Sequence, residues 1–592
     1  MCAILGLVSR QDTIDRQLFN RLRDLMIHRG PDDAGAVYFA SDHIALGHRR
    51  LSFLDLGPEG RQPLSNPDGT IWITFNGEIY NFKEIREELV RLGYTFQTHT
   101  DTEVIIRGYE AWGIQVTDHL RGMFAFGLLD LNQRKLHLVR DRFGIKPLYY
   151  HISADNFLFA SELKAITAHP AVDATLDMSA FTDYFVYRYI PSPKTIRKQI
   201  AKLPPATRLV YDIDTGSYSC HTYWEIPYGE NNSPGDSLIH ETGRMLAQSV
   251  SLHARSDVPV GSFLSGGYDS SAIVYYLQQA GYSPQAFAIG FSGWEQSEHQ
   301  YAEAVGKHLG ISVSSYMADD NTLDLLSYMP DVYDEPIADI SILPTWLVSR
   351  HAARQVKAVM SGEGADELFV GYQWQKERYA AIQQRRLWQK LFQSAREQTT
   401  QYYATSMSMG RFDRQELTNM LTPDYTRYIA EDTDWFYRSH YRSDLSPVKQ
   451  IQHLDIKCFM GELVLTKIDR ASMAHSLEVR VPFLDHLLYE KVLGYGEQNY
   501  YKPEETKHLL YQNIQSALPS SILQRKKQGF VGPDVFYMNR DRYAHWLNQS
   551  RLIRDGIIRK DYYLSLLTNR DHWRLWKLTV MEVWYRRWIS GT

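Results

Sequence analysis

A chain of 592 residues exceeds the size at which one hydrophobic core keeps growing, and its 44% hydrophobic content can fill more than one, so a globular protein of two or more domains is expected. A formal net charge of −5, with the basic residues scattered rather than massed, leaves no electrostatic case for nucleic acid. The three cysteines, Cys2, Cys220 and Cys458, have neither zinc-ligand spacing nor a disulfide framework, which fits a reducing compartment.

The chain opens MCAILGLVSR, a short apolar strand pattern. It is too brief for a signal-peptide core, it runs at once into the charged SRQDTIDR, and no later run approaches a membrane span. A cytoplasmic protein with no membrane partner is expected. Methionine before a residue as small as Cys is ordinarily clipped, which would give Cys2 both a thiol and a free α-amino group. Such an amine, with a pKa of roughly 7.7–8.0, can take the proton of its own thiol. On position alone, a small apolar residue opening a strand is the simpler reading.

Up to about residue 200, IWITFNGEIYN, GMFAFGLLDL, KLHLVRD and LYYH read as strands, and FKEIREELVRLG reads as a helix closed by Gly. This is an α+β or layered sandwich pattern, in which Asn76-Gly77 has the composition of a hairpin turn. The stretch from KLPPATRLVYDIDTG to YGENNSPGDS begins as a hairpin and ends as a connector. Beyond it the character changes. DSLIHETGRMLAQSVSLHARSD is helical, VPVGSFLSGGYDS is a strand entering a glycine turn, and SAIVYYLQQAG resumes as helix. PQAFAIGFSG, YAEAVGKHLG and VKAVMSGEGADELFVGY repeat the alternation, as in a doubly wound parallel sheet. The last third is helical, aromatic and charged, without repeats.

Two loops carry chemistry. SGGYDS, residues 265–270, lies between a strand and a helix, so its amides and hydroxyls gather at a helix N-terminus, where phosphate is best held. It lacks the Lys-Ser/Thr ending of a Walker loop. SGEGADELFVGY, residues 361–372, follows the strand VKAVM and concentrates Glu363, Asp366 and Glu367. Carboxylates beside a triphosphate need a cation between them, which makes Asp269 and Asp366 candidate magnesium ligands; helix capping is the alternative.

SGGYDSS, DEPIADISILPTWLVSR, SGEGADELFVGY, KIDRASMAHSLEVRVPFLD and RKKQGF run in the order found in glutamine-hydrolysing asparagine synthetases, and the chain resembles that family over most of its length. The resemblance implies an N-terminal Ntn-hydrolase-type αββα sandwich, a class II glutamine amidotransferase domain, over residues 2–225. It implies a doubly wound parallel-sheet ATP-pyrophosphatase domain, adenine nucleotide alpha hydrolase-like with added helices, over 226–592.

In the first domain the resemblance makes Cys2 the nucleophile, with its own amine as base, and Asn76 and Gly77 the donors to the tetrahedral oxyanion. Arg50 would bind the carboxylate of glutamine, and Asp101 with Glu78 its α-ammonium. RGPDDAG and RDRFGIKPLYY would be scaffold around that pocket.

In the second domain it places ATP against Leu264, Ser265, Gly266, Gly267, Asp269, Ser270, Ile289, Ser361 and Gly362, with Mg2+ on Asp269 and Asp366. Lys507 in ETKHLLYQ would face the leaving pyrophosphate from a helix, and Glu363 would take a proton as ammonia attacks. Without the family, Lys507 reads as a solvated helix lysine. Lys467, Arg470 and Arg480 are expected along the synthetase cleft without an assigned role.

The implied substrates are glutamine, ATP and aspartate or another carboxylate, joined through an acyl-adenylate and an internal ammonia tunnel. A homodimer is allowed but not specified. Some positions depart from the usual family wording: Val370 and Ala206 stand where glycine is usual, and Ser297 where Asp often precedes the Glu. Gln373-Trp374-Gln375 replaces an aromatic-basic pair, and the spacing before Pro533 is altered. They leave the acceptor open between aspartate, the leading reading, and a sugar uronic or secondary-metabolite acid. A non-catalytic binding protein of the same fold is disfavoured, because Cys2, the SGGYDS loop and Lys507 are all present.

Overall fold

The computed structural model describes residues 2–590 except 56, 232–234, 384–394, 526–528, 531, 534–536 and 539. Part of RKKQGF and most of the segment around Pro533 therefore lie outside the described residues.

Alternating apolar residues build two six-stranded sheets in the first half. The first has the order Ala201–Lys202, Tyr149–Ile152, Asn156–Ala160, Ala3–Ser9, Ile44–Arg50 and Asp33–Phe39. The second runs Tyr218–Thr222, Thr207–Asp212, Lys135–Arg140, Gly122–Asp130, Ile71–Ile79 and Leu64–Ser65. All their pairings are antiparallel. Ile4, Leu46, Leu129, Leu138, Phe159 and Leu209 fill the space between the sheets. Along Ala3–Ser9 the intervening Ala3, Leu5 and Leu7 join the opposite core, which includes residues of the helices Arg16–Asp24 and Leu163–Thr167. Helices Phe82–Arg91 and Thr102–Trp112 cover the second sheet through Ile85, Leu89, Ile105, Ile73 and Phe75. The result is the helix–sheet–sheet–helix sandwich the sequence implied.

The hairpin reading of Asn76-Gly77 is corrected. Both residues lie inside the strand Ile71–Ile79, opposite Ala125 and Phe124. A Cβ on Gly77 would come within 2.1 Å of the Met123 carbonyl oxygen, so glycine is there for close strand approach and not for a turn.

The second half is built on a five-stranded parallel sheet of order Val313–Ala318, Ala286–Phe291, Val260–Phe263, Ala358–Met360 and Glu478–Arg480. The chain winds outward from Val260–Phe263 in one direction and then returns to its other side. Val260–Phe263 and Ala358–Met360 thus flank the topological switch point, where such sheets bind ligands at the carboxyl ends of the strands. The strands Val313–Ala318 and Glu478–Arg480 were not expected from the sequence. Among the described residues no helix is long and apolar enough to cross a membrane.

The two halves meet through buried charge. Arg29, fully buried, donates to Asp469 at 2.8 and 3.1 Å and to Glu162 at 3.1 Å. Arg470 lies 2.6 Å from Glu162 and 3.5 Å from Asp334, and Lys164 bridges the same two carboxylates at 3.0 and 3.2 Å. Removing one partner strands the others in a low dielectric. Asp469→Ala should therefore lower stability to urea by about 3–5 kcal/mol. A change under about 0.5 kcal/mol, ordinary for a surface site, would show that the network does not hold the halves together.

Candidate active sites in the two halves

Cys2 opens the central strand of the first sheet. Its backbone N donates to Asn76 Oδ1 at 3.0 Å, and its carbonyl accepts from Arg29 Nε at 3.2 Å. The thiol is buried, which pushes its pKa up, while the Leu51 backbone and Arg50 pull it back. Asn76 Nδ2 is buried and has no hydrogen-bond partner among the described residues. An orphaned donor costs stability unless something fills it, and here it belongs to the side chain whose oxygen holds the Cys2 backbone.

The other glutamine-pocket candidates are near but differently engaged. Arg50 turns its fork onto the carbonyls of its own loop, Gly57 at 2.9 Å, Leu54 at 3.2 Å and Asp55 at 2.5 Å. Asp101 accepts from Ile79 N at 2.8 Å, and burial raises its carboxyl to about 6. Glu78, its pKa also raised by burial, lies 3.4 Å from Arg480, which comes from the second half.

The expectation that Arg470 and Arg480 line the synthetase cleft is corrected: Arg470 reaches Glu162 and Arg480 reaches Glu78, both carboxylates of the first half. Arg480, fully buried, pairs with Glu478 at 2.5 Å and donates to the His253 and Arg255 carbonyls at 2.6 and 2.7 Å. Burial works to raise Glu478, but surrounding positive charge, Arg480 and Lys146 included, outweighs it and lowers its pKa.

The second site forms where the strands Val260–Phe263 and Ala358–Met360 end side by side. Buried Leu264 carries the chain into a loop in which Ser265 Oγ lies 3.2 Å from Ser270 Oγ and accepts from Gly267 N at 3.4 Å. Gly266 has φ +73°, and a Cβ there would come within 2.5 Å of Tyr301 Cβ, so only glycine fits. Gly267 caps the helix Tyr268–Gln279, whose first amides point into the loop's mouth. Ile289 is buried in the adjoining strand Ala286–Phe291. The Ser361–Gly362 turn packs so closely that a Cβ on Gly362 would lie 2.8 Å from Asp269 Cβ.

Lys507 joins the two loops. Its Nζ lies 2.5 Å from Asp269 Oδ1 and 2.7 Å from Asp366 Oδ1, and the residue is 3% exposed. Burial works to lower its pKa, but the two carboxylates outweigh it and raise it. The solvated-helix reading is thus overturned, and the helix placement is adjusted: Lys507 precedes the helix His508–Ile514, in the left-handed region at φ +54°. Two convergent carboxylates plus phosphate oxygens and water make a set suited to Mg2+, so Asp269 and Asp366 fit that ion. Among the described residues no group of three or more His, Cys, Asp or Glu could hold a metal. Glu363 flanks the site with a buried, unpartnered Oε2 among the described residues, and burial raises its pKa.

One contact was missed. Arg525, quoted in the sequence only as the head of RKKQGF, donates to the Ser265 carbonyl at 3.2 Å and to Glu298 at 3.0 Å, and lies over the Tyr301 ring at 4.0 Å. Its basic character was the available signal. The departures also gain a physical reading: Val370 and Ala206, standing where glycine is usual, have φ +55° and +54°. A side chain in that region costs roughly 1–2 kcal/mol.

Burial raises the Glu298 carboxyl to about 7 against the opposing pull of Arg525. Its unfolded value is about 4.3. The folded state therefore holds the proton more tightly, and the associated stability is complete below about pH 4.3 and lost as pH rises through about 7. Urea midpoints at pH 4.5 and 8 should show wild type losing more stability than Glu298→Gln over that interval; parallel losses would place the titration elsewhere.

Comparison with known proteins gives a consistent assignment. A glutamine amidotransferase domain family matches residues 1–224, and an asparagine synthase family matches residues 241–586. Glutamine-hydrolysing asparagine synthetase 1 of Bacillus subtilis (strain 168) is 33% identical, covering 99% of this chain and 96% of its own. Asparagine synthetase 3 of that strain is 30% identical over 94% and 91%, and amidase chry2 of Gibberella zeae is 26% identical over 87% and 84%. The chain belongs to the glutamine-hydrolysing asparagine synthetase family.

Proposed function

We propose that the chain is a glutamine-dependent asparagine synthetase converting aspartate, glutamine and ATP to asparagine, glutamate, AMP and pyrophosphate. The observation that carries the ATP half is the buried Lys507 ammonium set between Asp269 and Asp366 where the two switch-point loops meet. Pyrophosphate would rest on the amides and hydroxyls of residues 265–270, with Lys507 offsetting its charge as it leaves. Mg2+ held by Asp269 and Asp366, when bound, supplies further charge for the triphosphate. A side-chain carboxylate oxygen of aspartate attacks the α-phosphorus. Ammonia then attacks the acyl carbon, AMP departs with that oxygen, and Glu363 takes the proton.

In the other half the Cys2 thiolate attacks the glutamine carboxamide, giving a thioester and ammonia that water resolves to glutamate. The unpaired Asn76 Nδ2 and the Gly77 amide support the oxyanion. Arg50 must release its loop carbonyls to grip the substrate carboxylate, and Asp101 with Glu78 receives the ammonium. The competing acceptor, a sugar uronic or secondary-metabolite acid, uses the same machinery; the setting remains cytoplasmic.

Cys2→Ala should abolish glutamate release while leaving AMP formation from ammonium chloride; glutamate at the wild-type rate would rule out the thioester. Lys507→Ala should cut pyrophosphate release from either nitrogen source by about 10²-fold or more. With aspartate carrying oxygen-18 in its side-chain carboxylate, one label should reach AMP. Formation of ADP would end the adenylate reading, and AMP formed only with another acid would replace aspartate.

A further inference from the structure

Two residues past Asn76, on the same face of the strand Ile71–Ile79, stands Glu78, whose side chain is buried. The cation that meets it comes from the other half: Arg480 Nη2 lies 3.4 Å from Glu78 Oε1 and has no hydrogen-bond partner among the described residues. The rest of that guanidinium is held fast. Nε donates to Glu478 at 2.5 Å, and Nη1 donates to the His253 and Arg255 carbonyls at 2.6 and 2.7 Å, which fixes the plane of the fork and leaves Nη2 for Glu78. Burial raises the Glu78 carboxyl, Arg480 is the foremost charge opposing that rise, and Asp101 and Glu478 add to it. Arg480 is also tied to the second loop of the ATP site. Its carbonyl accepts at 2.9 Å from the N–H of Ser361, the residue that opens the loop 361–372.

We propose that Arg480 is a positioning residue of the glutamine site, supplied by the second half to orient the Glu78 carboxylate toward the α-ammonium of the substrate. It acts through Glu78 and not on the substrate itself. A carboxylate buried beside two others takes up a proton, and a carboxylic acid offers an ammonium no ion pair. A guanidinium within about 4–6 Å favours the charged form, and a fork fixed at its other nitrogens holds that form in one direction. Glu478 offsets the charge of Arg480, so the pair orders Glu78 with little repulsion of the incoming ammonium, whereas a lone cation would compete for it. This inference rests on the reading of Cys2 as the glutaminase nucleophile and of Glu78 as part of the ammonium site.

The test follows glutamate release from L-glutamine without ATP, and its inhibition by 4-carbamoylbutanoate, which keeps the carboxamide and the carboxylate but lacks the α-ammonium. Arg480→Met should raise the glutamine KM about tenfold while kcat stays within about threefold, and should leave the inhibition constant of 4-carbamoylbutanoate within about twofold. In a Glu78→Gln background the same change should raise KM by less than about twofold, because its route through Glu78 is already gone. Arg480→Lys, which keeps the charge without the fork, should fall between, and it serves if the methionine variant does not fold. KM and the inhibition constant rising together, or equal increments in the two backgrounds, would overturn the positioning role, while loss of glutamate release in Cys2→Ala still upheld the glutaminase reading. Glutamate release by Cys2→Ala at the wild-type rate would sink both.

Discussion

A buried guanidinium tolerates burial only if carboxylates meet it, and that rule fixes how the two halves of this chain sit together. Arg29 from the first half is closed by Asp469 of the second and by Glu162, which Arg470 and Lys164 close in turn. Networks of this kind add little over an apolar contact when complete, but breaking one is costly, so they penalise any arrangement in which the halves separate or slip. The same guanidinium holds the carbonyl of Cys2. Arg480, from the edge strand of the parallel sheet, reaches Glu78 beside the other end of the pocket. Asp469, through Arg29, and Arg480, directly, therefore let the second half bear on the backbone and the electrostatics of the first.

Close approach is the second constraint, and it explains the backbone where the two switch-point loops meet. Asp269, Asp366 and Lys507 can meet only because the loops carrying them touch. A Cβ on Gly371 would lie 1.9 Å from Asp366 Oδ1 and 2.3 Å from Lys507 Cε. Lys507 and Val370 both take left-handed backbone where glycine would be unstrained. Strain of this kind persists when surrounding structure over-determines it, and here the surroundings are a buried ion pair and a fully buried valine.

Much of the fold was legible because burial writes itself into period and punctuation. The strands Gly122–Asp130 and Lys135–Arg140, the helix Phe82–Arg91 and the strand–loop–helix around SGGYDS all follow from apolar pattern and flanking residues. Asn76-Gly77 misled because the dipeptide that suits a tight turn also suits a strand pressed against its neighbour. Glu478–Arg480 was hidden because a three-residue strand has no period, and it sits inside a segment that reads as helix. The setting of Lys507 was invisible for a different reason: Asp269 is 238 residues away, and no local pattern distinguishes a lysine that will be buried against it from one in water. The placement of Arg470 and Arg480 failed likewise, since their partners Glu162 and Glu78 belong to the other half.

Two of the departures from family wording, Trp374 and Gln375, converge on one carboxylate once the chain is folded. Trp374 Nε1 and Gln375 Nε2 donate to Asp455 at 3.1 and 2.8 Å, and Tyr403 OH joins them at 2.8 Å. Asp455 begins a π-helical segment, Asp455–Val464, of the kind that often marks functional sites. Phe459 projects from that segment against Tyr372 and Trp374, and the Arg188 guanidinium lies 5.7 Å from its ring centroid. Trp374 and Gln375 thus hold one carboxylate, that carboxylate begins one irregular turn, and the turn carries the ring that lies against Arg188. Variation at Trp374 and Gln375 therefore reaches that turn directly, through hydrogen bonds and ring packing.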